Sequence, residues 1–131
     1  MKILITGATD GIGLATAKKL TQQGHHVLLH GRNPAKLKAV AKELGEDKTE
    51  QWVADFSKLA EVKELAEKIA DKHKHLDVLI NNAGVFNATD TVTDDGLDIR
   101  FAVNTVAPYL LTKSLLSLMD ESGRIINLSS A

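Results

Sequence analysis

Cysteine is absent from the 131 residues, which excludes disulfides and thiol catalysis. Neither sign of charge dominates. The 16 basic and 17 acidic residues leave a net charge of −1 with no basic block, so no nucleic-acid partner is expected. Long apolar runs are missing as well. The opening, Met1-Lys-Ile-Leu-Ile-Thr-Gly7, is too short in apolar residues for a signal peptide or a membrane span. A cytoplasmic protein without membrane association is the expectation. The chain has no internal repeat, low-complexity tract or linker, so residues 1–131 read as one domain. At 44% hydrophobic and 25% charged it has an ordinary globular composition and enough length for a core.

The stretch that organises the rest is Thr6-Gly7-Ala8-Thr9-Asp10-Gly11-Ile12-Gly13. It follows the apolar run Ile3–Ile5 and opens a helical pattern containing Ala17 and Leu20. Strand, glycine turn and helix together form the context of a dinucleotide site. Gly7 permits a tight turn, Gly11 lets backbone approach a pyrophosphate, and Gly13 lets the helix pack closely. The first N–H groups of that helix, at its positive dipole end, then face the phosphates. No Gly-Lys-Ser/Thr follows, which excludes a Walker loop.

Beyond this stretch, strands and helices alternate. Apolar runs at Ile3–Ile5, Val27–Leu29, Val78–Ile80 and Ile125–Leu128 read as buried parallel strands, with a weaker one near Gln51–Val53. Helices are expected from Gly11 to Gln23, from Pro34 (capped by Asn33) to a stop at Gly45, and after Ser57 on the face Val62, Leu65, Ala66, Ile69 and Ala70. A long fourth helix is expected from Thr93, with Asp94 and Asp95 in its first turn and Leu97, Phe101, Leu111, Leu115 and Leu118 on its apolar side. Pro108 should kink or break it. The pattern predicts an α/β, doubly wound parallel sheet in the order 3-2-1-4-5, with ligands at the carboxyl ends beside the first strand.

These residues resemble the short-chain dehydrogenases/reductases, and the resemblance covers the whole chain. Thr6-Gly7-x-x-x-Gly11-x-Gly13 resembles that family's cofactor loop, Asp55 its adenine-contacting acid, and Asn81-Asn82-Ala83-Gly84 the stretch that ends its fourth strand. Asn104 matches the helix asparagine of its catalytic tetrad, and Arg124-Ile-Ile-Asn-Leu-Ser-Ser130 the strand bearing its catalytic serine. The segment from Thr93 to Thr112 is similar to the retinol-dehydrogenase and protochlorophyllide-reductase branch. The resemblance implies a Rossmann-type NAD(P) domain. Cofactor contacts would come from Gly7, Thr9, Asp10, Gly11, Ile12 and Gly13, from Arg32, Asp55 and Phe56, and from Asn82, Ala83 and Gly84. It also implies a small carbonyl or alcohol substrate and a homo-oligomer, dimer or tetramer.

Cofactor choice follows from charge. An acid about 20 residues past the glycine loop would bind the ribose 2′-hydroxyl of NAD and repel the 2′-phosphate of NADP. Here the second strand ends His30-Gly31-Arg32, with a guanidinium that can grip a phosphate, so NADP is expected over NAD. Asp10 runs against this, because NADP enzymes of the family often carry a basic residue there. Asp55 can also cap the helix after Ser57, and Asn82 can either line the cofactor or turn the chain. Asn81 reads as a structural tie between strands. Asn104, amid apolar neighbours, reads as a buried amide whose hydrogen bonds must be met. The resemblance implies a helix carbonyl near it that holds a relay water, and the alternative is a satisfied structural asparagine. Of Ser129 and Ser130 only one can face the site. The resemblance favours Ser130, as the hydroxyl that stabilises developing oxyanion charge.

The family's proton donor, Tyr-x-x-x-Lys after the serine, is not in the sequence. Tyr109-Leu-Leu-Thr-Lys113 fits as a string but precedes the serine and shares a helix with Asn104. Without the sixth strand of the family's sheet, Arg124–Leu128 would be an exposed edge, and the sheet is expected to be incomplete on its C-terminal side. The expectation is therefore part of a longer NADP-dependent oxidoreductase. The alternative is a catalytically incomplete dinucleotide-binding module. His73 and His75 read as solvated rather than metal-binding, His25, His26 and His30 as lacking a carboxylate, and Trp52 as core or interface.

Overall fold

The structure, a computed structural model, describes residues 1–84 and 92–128. Five parallel strands form one sheet in the order β3-β2-β1-β4-β5. They are β1 (Lys2–Ile5), β2 (His26–Gly31), β3 (Thr49–Val53), β4 (Val78–Asn81) and β5 (Arg124–Asn127). Ile3 pairs with Val27 on one side and Val78 on the other, which puts β1 at the centre.

Strand residues alternate between the two faces, and each face has its own core. Ile3, Ile5, Val27 and Leu29 pack with Ala17 of α1 (Gly11–Gln22) and with Leu37, Val40 and Ala41 of α2 (Pro34–Leu44). Leu4, Leu28 and Leu79 pack with Val62, Leu65 and Ile69 of α3 (Leu59–Lys72), and with Leu111 and Leu115 further along the chain. Burying one such side chain contributes about 2 kcal/mol relative to leaving it in water. Helix α2 starts where its cap dictates: the Asn33 side chain accepts from the N–H groups of Ala35 (2.9 Å) and Lys36 (3.2 Å).

The fourth helical segment departs from the sequence pattern. Residues Thr93–Leu97 form a turn, in which Thr93 N–H donates to the Leu97 carbonyl and Thr93 Oγ1 accepts from Asp95 and Leu97. The helix begins only at α4 (Ile99–Phe101), with Asp98 accepting from Arg100 and Phe101 N–H. Asp95 does serve a helix terminus, but a different one: its carboxylate accepts from Leu59 N–H (3.1 Å) at the start of α3.

After α4 the chain widens into a π-helical segment, Ala102–Val106, and returns to α5 (Ala107–Leu115). Ala107 N–H reaches back five residues to the Ala102 carbonyl. Pro108, which has no N–H to donate, sits at the first turn of α5, so the helix is neither ended nor broken there. The wider turn shifts the buried stripe to Ala102, Val103, Ala107, Leu111 and Leu115. Phe101 (53% exposed) and Asn104 are left outside. The buried amide expected at Asn104 is thus an exposed one. The run Ile125–Leu128 is not buried either: β5 is the sheet edge, and Ile126 and Leu128 are each 44% exposed.

Candidate functional site

A cleft opens at the carboxyl ends of the strands, where the chain order reverses on either side of β1. Gly7, Thr9 and Asp10 line it after β1, His30, Gly31 and Arg32 at the end of β2, and Ala54, Asp55 and Phe56 after β3. Ala83 and Gly84 follow β4, and Lys36, Ile99 and Val103 complete the lining with Asn33 and Ser57.

The three glycines of the first turn are needed for three reasons. Gly7 has φ +64°, and a Cβ there would lie 2.9 Å from Ala83 Cα. A Cβ on Gly13 would collide with the Gly7 carbonyl oxygen and lie 2.5 Å from Asn82 Nδ2. Gly11, with φ +54°, faces open space with nothing within 4 Å. This is where a ligand phosphate could come close to the backbone.

The turn is tied down on both sides. Asn82 Nδ2 donates to the Gly7 carbonyl (2.9 Å), and Thr6 Oγ1 accepts from the N–H groups of Asn82 and Ala83 (3.0 Å each). Toward β2, Ala8 N–H donates to the His30 carbonyl (2.8 Å), and Gly7 N–H donates to His30 Nδ1 (3.0 Å). The opposite ring nitrogen, Nε2, donates to the Ala54 carbonyl (2.8 Å). A carbonyl only accepts and an N–H only donates, so the ring is neutral with its proton on Nε2. Burial lowers its pKa to about 4, against the opposing pull of the Ala54 hydrogen bond and of Asp55. The ring stacks on Phe56, centroids 4.1 Å apart.

The remaining expected site residues fall as follows. Gly11, Ile12 and Gly13 form the first turn of α1 rather than the cleft lining, with Ile12 exposed. Asn82 also lies off the lining, its amide turned to the Gly7 carbonyl. Asp55 Oδ1 accepts from the N–H and hydroxyl of Ser57 (2.9 and 2.7 Å), and its own N–H donates to Glu61 Oε1 (2.9 Å). Arg32 is exposed beside the cleft. Asn104 stands near Gly84, where a Cβ would be 3.4 Å from its Oδ1. Asn81 does tie neighbours together: its Nδ2 donates to Asn127 Oδ1 (2.8 Å) on β5 and to Thr112 Oγ1 (3.1 Å) on α5. Tyr109 is 66% exposed on α5. Ser129 and Ser130 lie outside the described residues.

Sequence reasoning missed the parts played by His30 and Lys36, and it misjudged His26, which has a carboxylate partner, and His73, which is buried. His26 Nε2 lies 2.6 Å from Glu50 Oε2, and the buried His73 places Nε2 2.9 Å from Glu50 Oε1, with Lys72 Nζ at 3.0 Å. Burial alone would raise the Glu50 pKa, but hydrogen bonds from His26, His73 and Lys72 bring it down to about 2. His75 pairs with Asp77 (2.7 Å). Among the described residues no group of three His, Cys, Asp or Glu side chains is arranged for a metal ion. None of the described helices is long and apolar enough to cross a membrane.

The short chain dehydrogenase family model matches residues 1–131. The chain belongs to the short-chain dehydrogenase family. Polyprenol dehydrogenase of Homo sapiens is 38% identical over 98% of this chain and 42% of its own length. Retinol dehydrogenase 13 of Homo sapiens is 37% identical over 98% and 40%. This chain thus spans less than half the length of these curated relatives. Among solved structures, a metagenomic short-chain oxidoreductase in complex with NADP superposes with TM-score 0.82 at 34% identity, covering 100% of this chain and 62% of that one. A short chain dehydrogenase from Escherichia coli CFT073 complexed with NADPH gives 0.83 at 31%, covering 98% and 58%. In this member of the family the cleft lies at the position expected for the family's fold, beside β1.

Proposed function

We propose that this chain holds a nicotinamide dinucleotide, NADP in preference to NAD, for hydride transfer between nicotinamide and a carbonyl/alcohol substrate. One observation carries the reading. The cleft sets Gly7 of the glycine turn, which is open at neighbouring Gly11, against Arg32 just past β2, where an NAD-selective site would carry an acid, and Lys36 in the first turn of α2. The NADP complexes among its structural neighbours support it.

When bound, the cofactor supplies the hydride donor or acceptor. The chain's own residues do the rest. The glycine turn and the first N–H groups of α1 receive the pyrophosphate without a side chain in the way. The Arg32 guanidinium, with Lys36 beside it in the lining, receives the 2′-phosphate. Ala83 and Gly84 present backbone to the cleft next to Asn104. By likeness to the family, Ser130 donates to the substrate oxygen and Asn104 supports a proton path.

Titration with both cofactors tests the reading. Arg32→Ala should weaken NADPH binding by about tenfold or more, the worth of one charge-assisted contact, and leave NADH binding nearly unchanged. Equal losses for the two would overturn the NADP preference.

A further inference from the structure

The buried His30 ring has no role in the binding assigned above, yet it touches two walls of the cleft. Gly7 belongs to the turn after β1 and Ala54 to the turn after β3, and β2 runs between them. The β2 backbone reaches each turn only once. Its His30 carbonyl is already taken by Ala8 N–H, and its Gly31 carbonyl by Ala54 N–H (3.2 Å). The imidazole adds a second tie to each, and does so with one rigid ring: Nδ1 accepts from Gly7 N–H, and Nε2–H donates to the Ala54 carbonyl. Stacking on Phe56, itself in the lining, fixes the ring plane.

We infer that His30, as the neutral Nε2–H tautomer, is the positioning residue that sets the distance between the glycine turn and the β3 turn across which the dinucleotide lies. The inference rests on the nucleotide-binding reading. A site that grips phosphate on one wall and the adenosine end on another needs both walls held to a fraction of an ångström. Only one protonation state does this. A protonated ring would point a second N–H at Gly7 N–H, donor against donor, and the other neutral tautomer would do so while also losing the donor to Ala54.

The test joins spectroscopy to binding on the intact protein. Two-bond 1H–15N correlation at pH 7 should show His30 with a bare Nδ1 and a protonated Nε2. NADPH titration should then rank three variants. His30→Asn keeps an acceptor near the Nδ1 position, His30→Gln keeps a donor near the Nε2 position, and His30→Leu keeps neither. His30→Leu should bind NADPH about tenfold more weakly than wild type, and His30→Asn within about threefold of it, the scale of one buried hydrogen bond. His30→Gln should fall below His30→Asn, because the glycine turn is the phosphate side.

A residue that merely fills space would rank the variants by melting temperature, with the apolar one best. The inference fails if His30→Leu binds like wild type, if His30→Asn loses as much as His30→Leu, or if the spectrum shows Nδ1 protonated. Should a variant not fold, the wild-type tautomer still decides. If wild type binds no NADPH while the spectrum shows the Nε2–H tautomer, the nucleotide reading falls and the bridge stands as structure alone.

Discussion

The two ends of β2 use the same residue type in opposite ways. His26 and His30 stand four residues apart, on the face that packs against α3. At the amino end, His26 meets a carboxylate, and Glu50 also gathers His73 and Lys72. At the carboxyl end, His30 hydrogen-bonds only to backbone groups, stacks on Phe56 and stays neutral. The difference shows how one sheet separates scaffold from site. A carboxylate held by Lys72 and two imidazoles closes the amino end. The carboxyl end is held by uncharged contacts, which leaves Arg32 and Lys36 beside the cleft for a ligand.

The largest effect is expected at the carboxyl end. Gly13→Ala drives a methyl into the Gly7 carbonyl and the Asn82 amide, so the turn itself must move. Overpacking against backbone should cost about 3 kcal/mol, and NADPH affinity should fall by about a hundredfold or more, read by thermal melting and titration.

Acid separates the two ends more finely. The His30 pKa falls from 6.5 to about 4 on folding, so its contribution is complete above pH 6.5 and is lost as pH falls towards 4. At most this is about 3 kcal/mol. The Glu50 pKa falls from 4.5 to about 2, so its contribution is complete above pH 4.5 and is lost as pH falls through 2. Melting temperature against pH should therefore decline in two windows. Glu50→Gln should remove the lower one, cost about 1–2 kcal/mol at neutral pH after allowing for solvent screening, and leave NADPH affinity within twofold. A large affinity loss in that variant would erase the division between the ends. The smallest effect is expected at Asp95→Ala, where loss of the cap on Leu59 should cost about 0.5–1 kcal/mol and leave binding unaltered.

Much of the sheet was legible because its signals are local. Ile3–Ile5, Val27–Leu29 and Val78–Ile80 are short apolar runs, and Asn33-Pro34 with Gly45 brackets α2 within a dozen residues. The glycine turn was legible for the same reason. Asp95 misled because its signal was sound but its helix was not the adjacent one: it caps α3, 36 residues earlier in the chain. Asn104 misled because a π-helical turn changes the count of residues per turn, so a stripe drawn at 3.6 lands on the wrong face. His30 was silent because its partners are a backbone N–H and a backbone carbonyl, which no residue type announces. The Glu50 cluster joins residues from β2, β3 and the end of α3, and no spacing in the sequence links them.

The sheet order also divides the fastening of the glycine turn between a short and a long closure of the chain. Ile3 meets Val27 across 24 residues, but it meets Val78 across 75. The longer closure costs about 1 kcal/mol more in chain entropy. His30 grips the turn from the near side, and Asn82, with the Thr6 hydroxyl, from the far side. A parting along the seam between β1 and β4 would release the second grip and keep the first. The turn is thus moored once to each half of the sheet, and neither mooring depends on the other's strand.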